Sequence, residues 1–198
     1  MIDFFVVAAC YLIGSIPVSY LVARYWKGID IRRCGSGNVG ATNVWRSAGP
    51  APGLVALAGD MGKGALAVIL ARHFGGPSLV VFSGMAVLAG HSWSLFLGFR
   101  GGKVIATGAG VFAAISLPVV AFAGVVWFAV VGITKYVSAG SITGIISIPL
   151  LMLAFHLETA YLVLGVFAAA FAIYKHIPNI KRLAAGTEPK IEIGRKNR

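Results

Sequence analysis

The chain alternates long apolar runs with short polar stretches rich in glycine. Seven runs are candidates to cross a bilayer: Phe4–Ala23, Ala51–Ala71, Ser78–Leu97, Val104–Ile115, Pro118–Ile133, Ile142–Phe155 and Ala160–Ile173. A spanning helix needs about 20 apolar residues, and fewer where neighbouring helices or local thinning assist. The fourth and fifth runs share one apolar stretch broken at Ser116-Leu117-Pro118, which also reads as a single span, and the sixth is short. Totals of five or six spans therefore stay open on hydropathy alone. The opening "MIDFF" has no basic residue and no A-x-A site follows, so the first run reads as a span and not as a cleavable signal.

Composition removes the soluble alternative. Of 198 residues 58% are hydrophobic and only 12% charged, too few polar groups to cover an ordinary surface in water. Charge then orients the runs. With the N-terminus outside, every one of the 17 Lys and Arg except Lys63 and Arg72 falls on the inner side, while Asp3 and Glu158 sit at outer ends. An even number of spans breaks that pattern, so the positive-inside rule selects seven, with the N-terminus out and the C-terminus in the cytoplasm. The expectation is an all-α integral membrane protein, a single domain over 1–198, with 191–198 a flexible basic tail touching solvent and anionic lipid.

The stretch "GSGNVGATN", Gly35 to Asn43, fits the dinucleotide fingerprint G-x-G-x-x-G, and Asp60 lies twenty residues after Gly40, near the place for a ribose-binding acid. The fingerprint demands a buried strand before it and a second strand ending at the acid. Here the polar "KGIDIRRC" precedes it, and Asp60 lies within an apolar run. The Walker pattern fails too, because "GDMGKG" and "GFRGGKV" put Gly64 or Val104 where Ser or Thr must bind magnesium. The nucleotide reading is rejected.

The glycine-rich, uncharged or basic loops all fall on one face: "GSGNVGATNVWR", "GFRGGKVIAT", "KYVSAGS" and "KHIPNIKRLAAGTE". Successive small residues let backbone N–H groups converge on an anion. Ser36, Asn38, Thr42 and Asn43 add neutral hydrogen-bonding groups, and Arg46 and Lys103 add fixed positive charge suited to phosphate oxygens. A phosphate site at the cytoplasmic membrane surface follows. Asp60 and Lys63 stand at i, i+3 and can pair within the second run; an intramembrane pair is by default a candidate site, the alternatives being that it only orders that span or that a helix begins at Asp60 with "PAPGLVALAG" lying along the interface. His91 reads as an interfacial hydrogen-bonder. Cys10 and Cys34 form no disulfide or metal pattern. No metal, organic cofactor or nucleic acid is expected.

Four blocks, "GSGNVGATN", "DMGKG", "GHSWSLFLGFRGGKVIAT" and "HIPNIKRLAAGTE", resemble in order the signature blocks of the bacterial acyl-phosphate:glycerol-3-phosphate acyltransferases. The resemblance covers nearly the whole chain. It implies a seven-span inner-membrane enzyme of phospholipid synthesis that moves a fatty acyl group from acyl phosphate to the 1-hydroxyl of glycerol 3-phosphate, giving lysophosphatidic acid and phosphate. Membrane lipids are its surroundings. Residue by residue it implies that Ser36, Arg46, Lys103 and Ser141 surround the phosphates, with Gly35, Gly37, Asn38, Gly40, Thr42, Asn43, Gly101 and Gly102 contributing to binding. His176, hydrogen-bonded by Asn179, is the protein candidate to orient or deprotonate the glycerol hydroxyl; a substrate phosphate oxygen is the alternative. Asp60, Lys63, His91 and Glu188 are implied to shape the site.

One departure stands out. The family's G-G-K-G-V-A-T is here "GGKVIAT", so Val104 replaces a glycine. Valine there is strained if the position needs positive φ; otherwise the fourth helix starts one residue earlier. The rival reading, a small transporter for an anionic solute, expects inverted repeats and mid-membrane polar groups. Neither is evident in this chain.

Overall fold

The structure, a computed structural model, describes residues 1–191, so all but the first residue of the expected tail, 191–198, lies outside the described residues. Among the described residues the chain forms nine α-helices and no strand: α1 (Ile2–Ser15), α2 (Val18–Lys27), α3 (Ala41–Ala48), α4 (Pro50–Phe74), α5 (Pro77–Ser92), α6 (Ile105–Ile115), α7 (Leu117–Thr134), α8 (Val137–Ala154) and α9 (Thr159–Ala184). Helices α1 and α2 make one apolar segment of 26 residues. With the segments built on α4, α5, α7, α8 and α9 it gives six long enough to cross a membrane, and α6 is a shorter apolar helix. The seven hydropathy runs thus correspond to six long segments and one short one.

Several boundaries moved for identifiable reasons. The first run is broken at Ile16-Pro17, where proline has no N–H to continue the ladder. At the break the Ser15 carbonyl accepts from the Ser94 hydroxyl at 2.5 Å, and the Ile16 carbonyl accepts from both the Val18 N–H and the Lys63 ammonium at 3.0 Å. Ser116 is extended (φ −153°, ψ 102°), so the shared apolar stretch is two helices; proline in the first turn of α7 forfeits an N–H that would be unpaired anyway. Helix α8 begins at Val137 rather than Ile142, and α9 continues past Ile173 to Ala184. Hydropathy ended α9 early because Lys175, His176 and Asn179 are polar, yet His176 and Asn179 are buried against other protein. Helix α4 runs unbroken from Pro50 through Asp60, which overturns the alternative of a helix beginning at Asp60.

Glycine lets two helix pairs approach at backbone distance. A Cβ on Gly90 of α5 would stand 2.2 Å from the Tyr11 carbonyl oxygen of α1, and one on Gly64 of α4 would stand 2.1 Å from the Thr107 carbonyl oxygen of α6. Such contacts replace the hydrophobic driving force that lipid cannot supply. One core, centred on Val68, Val87, Leu88, Phe112, Met152 and Leu164, joins α1 and α4 to α9. A second, with Ala23, Ile31, Val44 and Ala56, sits under the first glycine-rich loop. Phe4, Phe128, Ile133 and Leu150 are exposed on the outer helix surfaces, as expected where the solvent is hydrocarbon.

Candidate active site

The loop between α2 and α3 is built around one amide. Asn43, buried in the first turn of α3, accepts from the Ser36 N–H at 3.1 Å, and its Nδ2 donates toward the carbonyls of Ile31, Cys34 and Asn38 at 3.0–3.1 Å. That corrects the expectation that Asn43 binds phosphate: its polar atoms are spent closing the loop. Gly35 and Gly37 have φ of 54° and 68°, conformations that disfavour any side chain, and a Cβ on Gly35 would lie 2.4 Å from Asn43 Oδ1. Gly40 is extended and caps α3. Ser36 and Thr42 are exposed, and Asn38 is half-buried. Asp30 caps the turn at Ile31–Arg33 and binds the Arg32 guanidinium at 2.7 Å, so Arg32 is already paired; that contact holds the Asp30 carboxyl down to about 2.

The loop between α5 and α6 is pressed against the first. A Cβ on Gly102 would fall 2.2 Å from His91 Nε2 and 2.6 Å from the Val39 carbonyl oxygen, and one on Gly101 would fall 2.1 Å from the His91 carbonyl oxygen. Gly102 donates its N–H to that carbonyl at 3.0 Å and accepts from the Ser92 hydroxyl at 2.8 Å. These glycines serve close packing of backbone on backbone. Val104 has φ 62°, is fully buried and caps α6, which itself starts at Ile105. The expected alternative, a helix starting one residue earlier, is therefore overturned, and the valine occupies the left-handed conformation that glycine prefers. Strain there is of the order of 1–2 kcal/mol, similar to what the buried side chain contributes. Val104→Gly is accordingly expected to unfold at no lower temperature than Val104→Ala, the reverse of their order in a helix; thermal unfolding of the two variants checks this.

Lys103 lies between these glycines and α9. Its ammonium donates to Asn179 Oδ1 at 2.5 Å, Asn179 Nδ2 donates to Glu188 Oε1 at 2.7 Å, and Arg182 Nε donates to Glu188 Oε2 at 2.7 Å. Burial, followed by the nearby charges of Arg182, Arg46 and Lys175 and opposed by Glu188, pushes the Lys103 ammonium down to about 8. Burial works against ionising Glu188, but hydrogen bonds, chiefly from Asn179, keep its carboxyl below the usual glutamate range. Glu188 reaches Asn179 because the chain turns back after α9: the Ile191 N–H donates to the Lys135 carbonyl at 2.8 Å, and Arg46 Nη2 reaches the Pro189 carbonyl at 3.4 Å.

His176 does not bond Asn179, contrary to expectation. Its Nδ1 donates to the Ala172 carbonyl one turn back at 2.8 Å, which leaves Nε2 with the lone pair. Ser141 is buried on α8, 3.4 Å from the Trp127 indole nitrogen that donates to it. Asp60, Lys63 and His91 form a separate buried cluster beneath the loops. Lys63 Nζ lies 2.9 Å from Asp60 Oδ1, His91 Nδ1 lies 3.6 Å from the same oxygen, and the Ser19 hydroxyl donates to Asp60 Oδ2 at 2.7 Å.

The structure thus draws Arg46, Lys103, His176, Asn179 and Glu188 to one polar face and ties it, through Gly102 and Val39, to the loop that carries Ser36. Arg182 and Lys175 belong to the same face and were missed in the sequence. The signal was their spacing: Lys175, Asn179 and Arg182 stand at i, i+4 and i+7, one side of a helix, but only if α9 extends past Ile173.

A family model described as glycerol-3-phosphate acyltransferase matches residues 4–186. A glycerol-3-phosphate acyltransferase of Desulforamulus reducens is 50% identical over 187 residues, covering 94% of each chain. The glycerol-3-phosphate acyltransferase 2 of Moorella thermoacetica is 49% identical over 91% of this chain and 93% of its own. A crystal structure of PlsY (YgiH), an integral membrane glycerol 3-phosphate acyltransferase in its glycerol 3-phosphate form, superposes with a TM-score of 0.93 at 36% identity, covering 97% of this chain and 96% of that one.

Proposed function

Since the chain belongs to the glycerol-3-phosphate acyltransferase family, and so is an integral membrane acyltransferase of lipid biosynthesis, we propose that its donor is acyl phosphate. The glycerol 3-phosphate 1-hydroxyl is the acceptor, and lysophosphatidic acid and inorganic phosphate are the products. The observation that carries this reading is the line from Lys103 through Asn179 and Glu188 to Arg182, with Arg46 alongside. Among the described residues it is a cationic face whose one carboxylate, Glu188, is already committed. Further support comes from what the chain lacks. The His-x4-Asp relay of soluble-face acyltransferases has no counterpart, since Phe96 stands five residues after His91. An acyl phosphate is a mixed anhydride with a good leaving group. Its transfer requires positioning and charge neutralisation more than strong acid catalysis.

In this mechanism the glycerol 1-hydroxyl oxygen attacks the acyl carbonyl carbon. The ester bond forms, the bond from carbonyl carbon to phosphate oxygen breaks, and its electron pair leaves with phosphate. His176 Nε2 or a phosphate oxygen receives the hydroxyl proton. Arg46 and Lys103 bind phosphoryl oxygens and offset the charge developing on the leaving group. Ser36, Asn38, Thr42 and the backbone from Gly35 to Gly40 hold one phosphate; Gly101, Gly102 and Ser141 border the other. Asn43, Asn179 and Glu188 position these groups. Asp60, Lys63 and His91 support the loops from below. The face lies on the cytoplasmic side of the bacterial inner membrane, with seven spans and the N-terminus outside.

The test is phosphate release from palmitoyl phosphate by the purified protein, with and without glycerol 3-phosphate. Release that requires the acceptor is expected, and no release from a folded protein refutes the reading. Run against pH, kcat/KM should be halved near pH 8, where half of Lys103 has lost the proton that lets it bind phosphate, and fall further above it. Lys103→Arg should carry that fall beyond about pH 10, because a guanidinium stays charged.

A further inference from the structure

Along α9, Phe167, Phe171, Lys175 and Asn179 recur every four residues and share one face. The Phe167 and Phe171 rings lie 5.7 Å apart, and Trp93, the residue just past α5, sits 4.9 Å from Phe171 at a tilt of 39°. The Trp93 carbonyl accepts from the Tyr11 hydroxyl at 2.8 Å, which ties this wall to α1. The Lys175 ammonium stands over the Trp93 ring at 5.8 Å. One turn further, Asn179 holds Lys103. The face therefore runs from aromatic to cationic to the polar site, the polarity of a single-chain phosphate amphiphile.

Lys175 is half-buried and, among the described residues, makes no ion pair with a carboxylate. A second cation, Lys103, lies close enough to feel its charge. An ammonium in those surroundings is costly without an anion beside it. The reaction brings such anions, two phosphoryl groups of about −1.5 to −2 each. Arg46 and Lys103 offset roughly one of them, and Arg182 is already engaged by Glu188.

Building on the acyl-phosphate reading above, we propose that Lys175 binds the phosphoryl group of the acyl phosphate donor, with Trp93, Phe171 and Phe167 walling the first carbons of its chain. Neither residue type nor geometry singles out glycerol 3-phosphate here, since the acceptor has no apolar chain to lay against the aromatic wall. The experiment is steady-state kinetics with palmitoyl phosphate and glycerol 3-phosphate varied separately, for wild type, Lys175→Met, Lys175→Gln, Lys175→Arg and Lys103→Met. Lys175→Met and Lys175→Gln should raise KM for palmitoyl phosphate about 10-fold, the loss of one charge-assisted hydrogen bond. KM for glycerol 3-phosphate should stay within about twofold, and Lys175→Arg should restore binding. An unchanged KM for palmitoyl phosphate, or a rise confined to glycerol 3-phosphate, overturns the proposal. If Lys103→Met collapses activity while both neutral Lys175 variants are silent, this inference alone fails; if Lys103→Met is silent as well, the underlying reading fails with it.

Discussion

Lys103→Met is expected to lower kcat/KM for acyl transfer by about 10²–10³-fold in a protein that still folds, the loss typical of removing one group aimed at developing charge. The ammonium is held by Asn179 and squeezed by Arg46, Arg182 and Lys175, an arrangement that a folding role alone does not call for. Crowding three further cations near a half-buried lysine costs stability when no anion is bound. Methionine keeps the aliphatic stem and removes only the charge, so thermal unfolding should be unaffected or slightly delayed while turnover collapses. Activity within about threefold of wild type would remove Lys103 from the chemistry. Collapse of both activity and unfolding temperature would make it a structural residue.

Lys63→Met should act in the opposite way, costing roughly 3–5 kcal/mol of stability because it leaves Asp60 ionised and buried without its partner. The Lys63 side chain is 5% exposed and that of Asp60 is 1% exposed, so water cannot make good the loss. The same ammonium also satisfies the Ile16 carbonyl at the break between α1 and α2. That carbonyl keeps the Val18 N–H at 3.0 Å, so most of the loss falls on the buried carboxylate. The double variant Asp60→Asn/Lys63→Met should recover much of the loss, since a neutral amide carries no buried charge. Unfolding temperatures of the single and double variants in detergent decide the matter. A single variant as stable as wild type would show that Ser19 and His91 suffice to hold Asp60 without the lysine.

The membrane class and the two basic glycine-rich loops were legible because they rest on local composition. Apolar runs announce themselves by length, and Arg46 and Lys103 were recognisable as cations beside small residues. The roles of Asn43, His176 and Val104 were not. An asparagine beside a threonine at the end of a glycine-rich loop looks the same whether it binds phosphate or closes its own loop. Only the convergence of Ile31, Cys34 and Asn38 carbonyls on its amide decides for the loop. His176 and Asn179 stand at i, i+3, which permits a hydrogen bond, but the imidazole found a nearer backbone carbonyl at Ala172. For Val104, sequence posed the right pair of alternatives, and the observed φ of 62° chose between them.

From sequence alone came an all-helical membrane chain, the approximate places of its apolar segments, and a face of glycines and cations suited to phosphate. Each depends on hydropathy, charge and residue size, which are properties of short windows. Tertiary structure decided which polar side chains meet. It set the Asp60–Lys63 pair under the loops and away from the Lys103 site, turned the chain back after α9 so that Glu188 fixes the Asn179 amide, and extended α9 until Lys175 and Arg182 joined that face. Polar residues end a hydropathy window wherever they occur, but a helix continues through them when the protein rather than lipid surrounds them, and only the packed structure reveals which of the two it is.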